Sequence, residues 1–156
     1  MKVSENNVAQ KLRMTSSGFT LIELMVTIAV LAIIVSIAAP SISTQLANQR
    51  VKSTTAILEN ALKEARAESL IRRQNVEMAI DSNDKKIEIE LDDSTVIASY
   101  YYNTKSVIDG DDVQFTPNRT ADEEMFTICD SNTATSARQV IVSAIGSITS
   151  QFGGTC

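Results

Sequence analysis

An apolar run from Leu21 to Ala39, in which Glu23 is the only charged residue, constrains this chain more than any other feature. About 20 apolar residues in a helix are enough to cross the hydrocarbon core of a bilayer. A carboxylate in such a segment costs roughly 2.5 to 3.5 kcal/mol at the bilayer centre and less near its edge, so it normally marks a functional contact. The run therefore predicts one spanning helix that keeps a charge for a specific partner.

The residues before and within the start of this run form a motif. A short polar leader with Lys2, Lys11 and Arg13 ends at Gly18, and the chain continues Phe19, Thr20, Leu21, Ile22, Glu23, Leu24. The pattern resembles a type IV pilin-like precursor, the family of pilins, minor pilins and type II secretion pseudopilins. The resemblance implies that a prepilin peptidase cuts between Gly18 and Phe19 on the cytoplasmic side. It also implies that the new amine of Phe19 is N-methylated.

Two other interpretations of this end stay open. A secretory signal peptide would be cleaved after its apolar stretch, near small residues, and an uncleaved signal anchor would keep its leader. A start at Met14 would remove Lys11 and Arg13, the charges that favour cytoplasmic retention of this end, so the longer leader is preferred.

In the family, the carboxylate that matches Glu23 guides docking of a new subunit, drawn to the N-terminal amine of its neighbour. The local physics permits this role. Helical spacing puts Glu23 one turn beyond Phe19, where it can neutralise its own amine or a neighbour's in low-dielectric surroundings. Apolar residues all round the helix suit lipid before assembly and a filament core afterwards.

The chain divides by pattern into a leader (1–18), a transmembrane or filament-core helix (19–39), an amphipathic helix (40–73) and a β-rich part (74–156). Pro40 removes a backbone donor and predicts a kink that need not end the helix. Beyond it, one helical face is expected to pack against a globular domain. That face holds Thr54, Ile57, Leu58, Ala61, Leu62, Ala65 and Ser69.

After about Arg73 the period changes from helical to alternating, which predicts strands. A hairpin is expected around the turn at 81–84, followed by further strands separated by loops rich in Asp, Asn, Ser and Thr. The fold class is α+β, with a long N-terminal helix packed on a small antiparallel β-sheet domain. The predicted strands are 76–81, 87–92, Val96–Tyr102, Asp112–Phe115, Met125–Asp130, Gln139–Ile145 and Ser147–Phe152.

The net charge and the two cysteines limit the classes of function that the chain can have. The leader holds three basic residues and one acidic residue, so its removal changes the formal net charge from −5 to −7 and argues against a general nucleic-acid surface. The positive-inside rule places Cys129 and Cys156 outside the cytoplasm, where an oxidising periplasm favours a disulfide. A redox pair would prefer Cys-x-x-Cys, and a zinc site would need further ligands.

A second resemblance, over about the last 35 residues, is to the FimT and GspH group. Its C-terminal half carries a Cys-Asp strand end, here Cys129-Asp130, followed by a strand and a glycine, here 140–143 and Gly146. Some FimT-like minor pilins take up DNA through a Gly-Arg-x-Arg motif. The corresponding residues here are Gly146-Ser147-Ile148-Thr149, which lack both arginines, although Arg119 and Arg138 remain as a possible small patch.

The chain contains no His, which removes the usual triads, zinc ligands and imidazole bases, and we expect no enzyme, cofactor or metal. Asp81 and Asn83 resemble the opening of a calcium loop, but Lys85 and Lys86 follow, so a turn is expected. The acidic loop at 109–112 is interpreted as solvated, although a calcium ion stays possible there. The sequon at 118–120 carries no functional weight.

Three tyrosines, Tyr100 to Tyr102, are the only concentrated aromatics, and sheet packing is expected before a contact surface.

The sequence thus predicts a GspH/FimT-type minor pilin or pseudopilin, single-pass in the inner membrane with a periplasmic C-terminal domain. Its expected partners are the prepilin peptidase, major and other minor pilins or pseudopilins, and inner-membrane lipid. Two other classes stay open, namely a filament-tip receptor or adhesin, for DNA or another ligand, and an anchored periplasmic enzyme.

Overall fold

The structure, a computed structural model, describes the backbone of residues 18–132 and 135–156, and their side chains except those of residues 38–41. The predicted leader, apart from Gly18, lies outside the described residues, as does the side chain of Pro40. The chain forms two compact units, one ending at Ala38 and the other spanning Ala39–Cys156.

A single helix, α1, covers Leu21–Arg72. The helix passes through Pro40 without ending, as expected, while the kink at this position stays a prediction. It stops where Arg73 adopts a left-handed backbone with φ of 57°, a conformation that breaks the helical hydrogen-bond pattern. The predicted division of this segment at residue 39 also stays a prediction.

The second half of α1 is amphipathic in the way its sequence indicates. Six of the seven predicted face residues are buried, and only Ile57 is half-buried. The buried stripe also extends toward the N-terminus to Ala47 and Val51. Alanines at several of these positions let the helix backbone approach the strands closely, while Leu58 and Leu62 fill the space between them.

In the described part of the chain, eight strands follow the helix and form two antiparallel sheets of four strands each. The first sheet has the order β3-β2-β1-β5 and the second β4-β6-β7-β8. The strands are β1 Val76–Asp81, β2 Lys86–Leu91, β3 Val96–Tyr101, β4 Ser106–Asp109, β5 Val113–Phe115, β6 Glu124–Asp130, β7 Arg138–Val142 and β8 Ile148–Phe152.

The α+β architecture is therefore confirmed, with three corrections of detail. The strand β4 was not predicted, because it has only four residues and its inward positions include the polar Ser106. The strand β7 ends at Val142 rather than Ile145, and β8 begins at Ile148. Between them the Ser143 carbonyl accepts the Gly146 N–H at 2.7 Å, and Gly146 takes a φ of 68°, which makes a tight turn.

The core lies between the buried stripe of α1 and the inward faces of both sheets. Alternation along the strands supplies it, so that Met78 and Ile89 point inward while their neighbours point outward. Phe115 and Phe126 are the largest fully buried side chains, one from each sheet. One continuous apolar core thus holds the helix and the two sheets of the unit 39–156 together.

Candidate functional site

The N-terminal turn of α1 is fixed by a cap. The hydroxyl oxygen of Thr20 accepts the backbone N–H of Glu23 at 3.3 Å, and the Thr20 carbonyl accepts the Leu24 N–H at 3.2 Å. A Thr three residues before a Glu is the sequence pattern of a capping box, a signal that the sequence analysis did not use. The cap makes the helix begin at Leu21, so that Gly18 and Phe19 precede it.

The first part of the helix is apolar and uncovered. Every residue from Leu21 to Ile37 is exposed, and the described residues contain one helix that is long and apolar enough to cross a membrane by length and composition. The two hydroxyl side chains that hydrogen-bond there, Thr27 and Ser36, donate to the carbonyls of Leu24 and Ile33, each at 2.8 Å. These local bonds satisfy the hydroxyl donors within the helix, which suits an apolar environment.

Glu23 is the one acidic residue in the first turn of α1. An anionic side chain there is favoured by the helix dipole. Its side chain is exposed, and no ion pair to it is found among residues 18–132 and 135–156. The structure therefore presents an uncompensated carboxylate at the beginning of an uncovered apolar helix.

A second constellation attaches the helix to the second sheet. Arg50 donates two hydrogen bonds to Asp130, from Nε to Oδ2 and from Nη2 to Oδ1, each at 2.8 Å. The Arg50 guanidinium holds the pKa of the Asp130 carboxyl below its ordinary value, helped by the Asn132 N–H. This pair was not predicted from the sequence, although an Arg three residues after Ala47 and four before Thr54, both in the buried stripe, was a usable signal.

Next to this ion pair, the structure joins Cys129 to Cys156 by a disulfide, which confirms the predicted pairing. The bond ties the end of the chain to β6, at the residue before Asp130. A buried hydrogen bond at 3.0 Å between the hydroxyls of Thr54 and Ser106 links α1 to the neighbouring strand β4. The second sheet is thus held by covalent and polar contacts in addition to its apolar core.

The candidate calcium positions act as turns. The Asp81 carboxylate accepts the N–H groups of Asn83 and Asp84 at 2.9 and 3.1 Å, which lowers the pKa of Asp81. In the acidic loop, the Asp112 carboxylate accepts the Ile80 N–H at 2.9 Å and joins the loop to β1. The described residues contain no group of three or more His, Cys, Asp or Glu that could hold a metal ion.

Two of the three consecutive tyrosines pack in or against the core, and the third is exposed. Tyr102 is buried and Tyr100 packs against the core, where its hydroxyl donates to the Glu64 carboxylate and the pKa of Tyr100 is raised. The expectation of sheet packing is correct for these two. Tyr101 is 72% exposed and lies on the opposite face of β3.

The two arginines of the possible basic patch have separate local roles. Arg138 opens β7, and its guanidinium carbon lies 4.1 Å from the centroid of the Phe152 ring. Arg119 has a left-handed backbone in the turn after β5, with its carbonyl beside Gly146. The residues that match the DNA-uptake motif form the turn into β8 and its first two residues.

Comparison with known proteins agrees with this geometry. The model of the prokaryotic N-terminal methylation motif matches residues 13–39. The minor pilin FimU of Pseudomonas aeruginosa is similar in two crystal forms. In one crystal form, FimU has 22% identity to this chain and a TM-score of 0.56, and the match covers 67% of this chain and 98% of FimU. In the other form, the identity is 20% and the TM-score is 0.58, and the match covers 69% of this chain and 96% of FimU.

The minor pseudopilin EpsH from the type 2 secretion system of Vibrio cholerae is also similar, with 10% identity and a TM-score of 0.54. That similarity covers 65% of this chain and 95% of EpsH. A search of curated proteins finds no match. The chain therefore carries the methylation motif of type IV pilin leaders and has the fold of a minor pilin and of a minor pseudopilin.

Proposed function

We propose that this chain is a minor pilin, a low-copy structural subunit of a type IV pilus that contributes to pilus assembly and initiation, and through them to twitching motility and DNA uptake. The observation that carries the proposal is the methylation motif at 13–39, joined to an uncovered apolar helix that continues into a domain with the minor-pilin fold. Pilin-like neighbours have structural roles, and the same is proposed here.

Processing between Gly18 and Phe19 is the first proposed step. Phe19 is 77% exposed and Gly18 is also exposed, both before the first helical residue, which suits entry of the backbone into a peptidase. A Cβ added to Gly18 would meet none of the described residues within 4 Å. Since these residues give no packing reason for a glycine there, we infer that the glycine serves recognition by the prepilin peptidase.

Docking through Glu23 is the second step. An uncompensated carboxylate inside the membrane costs free energy, roughly 2.5 to 3.5 kcal/mol at the bilayer centre and less near its edge. Contact with the amine of Phe19 on a neighbouring subunit would remove much of that cost, because opposite charges attract strongly in a low-dielectric filament core. The Thr20 cap keeps Glu23 in the first turn, which gives the contact a fixed axial position.

The proposed location follows from the leader and the disulfide. Lys2, Lys11 and Arg13 favour a cytoplasmic leader, so the unit 39–156 would face the periplasm before assembly. An oxidising periplasm also suits the Cys129–Cys156 bond. The apolar helix would be held by inner-membrane lipid and then by the helices of other pilins.

The test uses cells that lack the gene, complemented with the full chain, with Glu23→Ala or with Glu68→Ala. Glu68 is the matched control, a helical carboxylate outside the apolar segment that pairs with Arg72. Sheared pili, the amount of this chain in them, membrane insertion and the intact mass of the mature chain are measured.

We expect few pili without the gene, recovery with the full chain and with Glu68→Ala, and poor incorporation of Glu23→Ala despite normal insertion. The mature mass should lack residues 1–18 and carry one methyl group. Pili that are unaffected by the deletion would overturn the pilus role. Normal incorporation of Glu23→Ala would overturn the docking role alone.

A pseudopilin of a type II secretion system is the second candidate, favoured by the similarity to EpsH over 65% of this chain. It predicts unchanged pili and reduced release of exoproteins when the gene is deleted. A tip receptor for DNA or another ligand would instead leave both pili and exoprotein release intact and reduce uptake.

A further inference from the structure

The strand β8 is an unprotected sheet edge. It pairs with β7 on one side and, within the part of the chain that the structure describes, with no strand on the other, and its residues Ile148–Phe152 include no charge and no proline. The four strand residues after Ile148 are exposed. Natural sheets usually protect an edge with Lys, Pro, a bulge, a very short strand or a covering loop, because its outward N–H and C=O groups pair readily with another extended chain.

The other edges of the two sheets carry such devices. The strand β5 has three residues, and its Gln114 exchanges two hydrogen bonds with Asp122 in the following loop, each at 3.2 Å. The pairing of β3 with β2 shifts in register between Ile89 and Glu90. The strand β4 has only four residues. Because β8 has none of these devices, we expect a partner to cover its outer edge.

The side of β8 that faces α1 is locally positive. The Ser150 hydroxyl faces Glu59 of the helix and is the main cause of the lowered pKa of Glu59. Phe152 and Arg138 line an open groove of about 310 Å³ together with Lys52 of the helix. Every second side chain of a strand added beside β8 would face the same side.

The charges along this side do not cancel. Glu59 pairs with Lys63 at 3.1 Å and also attracts Arg138, which lies beyond ion-pair distance. Three cations, Lys52, Lys63 and Arg138, thus face this one carboxylate. The chain as a whole has a formal net charge of −5, so this positive strip contrasts with the rest of the surface. A partner that carries carboxylates complements it.

We propose that β8 accepts an extended, carboxylate-bearing segment of a neighbouring filament subunit as an added strand, with an Asp or Glu of that segment facing Lys52 and Arg138. The proposal rests on the proposed function, because it takes the partner from the same filament. Backbone hydrogen bonds would supply affinity, and the alternate side chains facing the groove would supply specificity. DNA fits less well, since it offers no alternating N–H and C=O groups and Glu59 repels phosphate.

The test introduces a photoreactive amino acid at Gln151 of the full chain in its native cells. The matched control places the same amino acid at Ser99 of the edge strand β3, where the neighbouring side chain is the carboxylate of Glu88. Crosslinked peptides are identified by mass spectrometry. The Cys129–Cys156 bond serves as the check that each variant folds.

We expect Gln151 to crosslink to an acidic peptide of another pilin-like subunit, and Ser99 to give much less of that product. The double variant Lys52→Glu with Arg138→Glu should lower the yield at least about tenfold, whereas Lys52→Arg with Arg138→Lys should retain most of it. No subunit peptide from Gln151, a DNA adduct instead, an equal yield from Ser99, or a yield insensitive to charge reversal would each overturn the proposal.

Filament incorporation is measured in the same cells, beside Glu23→Ala. Normal incorporation without a subunit crosslink from Gln151 overturns the added strand and leaves the proposed function standing. Absence of the chain from both pili and pseudopili overturns the proposed function, while a Gln151 crosslink to a pilin-like subunit in the membrane would still support the added strand.

Discussion

Arg50 of α1 and Asp130 of β6 are 80 residues apart in sequence and form a two-bond ion pair, with both N–O distances at 2.8 Å. The Asp130 side chain is fully buried, whereas 24% of the Arg50 side chain is exposed. The planar guanidinium of an Arg donates two parallel hydrogen bonds to the two carboxylate oxygens, which the single ammonium group of a Lys cannot do. The pair therefore fixes the helix against the second sheet at one defined position.

Arg50→Ala should destabilise the unit 39–156 clearly more than the loss of an exposed ion pair does, because it leaves a buried carboxylate without its cation. Water that reaches the exposed part of the Arg50 site reduces this cost. The measurement is urea unfolding of the detergent-solubilised full chain. Lys63→Ala, which breaks the exposed pair with Glu59, should cost less than about 1 kcal/mol. Equal costs for the two variants would contradict the structural role of Arg50.

Stability should fall in acid partly through Asp130. Its folded pKa lies below the ordinary value of 3.8, so its contribution is complete above that value and is lost as the pH falls through the folded pKa. Asp130→Asn should therefore lose less stability than the wild type when the pH is lowered from about 5 to about 2. Unfolding midpoints across this range test it. Asp81 and Asp93, whose pKa values are also lowered, contribute acid sensitivity to both proteins. Parallel curves for the two proteins would refute the assignment to Asp130.

Loss of the disulfide should lower the free energy of unfolding by about 3 to 4 kcal/mol, because the bond closes a loop between residues 27 apart and restricts the unfolded chain. Cys156→Ser, combined with Cys129→Ser to avoid a free thiol, removes the bond. The double variant should match the reduced wild type in urea unfolding and should not respond to a reductant. A wild type whose midpoint is unchanged by reduction would argue against this contribution.

Gly110→Ala should be costly for a reason specific to its place. A Cβ there would lie 2.5 Å from Cδ1 of Phe126, a fully buried ring, and the backbone φ of 149° disfavours a side chain. Gly153 has a similar φ of 152°, but its Cβ would come no closer than 3.1 Å, to Oε1 at the end of the flexible Gln139 side chain. We expect Gly110→Ala to cost about 1 to 3 kcal/mol more than Gly153→Ala, from overpacking. Similar unfolding midpoints for the two variants would contradict this prediction, because they would show that the Phe126 ring moves aside at little cost.

The local predictions succeeded where a pattern is contained within one segment. The alternation of Val76, Met78 and Ile80 places β1 correctly, and the buried stripe of α1 follows its helical spacing. The short strand β4 was missed, because four residues with an inward Ser provide too little periodicity. That Ser hydrogen-bonds to the hydroxyl of Thr54, which is 52 residues away in sequence, so no local pattern could predict the contact.

By itself, the sequence determined the apolar helix with Glu23 at its start, the resemblance to a pilin leader, the α+β class and the pairing of the two cysteines. Each of these features depends only on residue type and on spacing along the chain. Only the tertiary structure decided that the strands divide into two sheets, that Arg50 meets Asp130, and that β8 is left as an open edge beside Lys52 and Arg138. These features depend on pairings between distant segments, which are set by how the whole core packs and not by any one stretch of sequence.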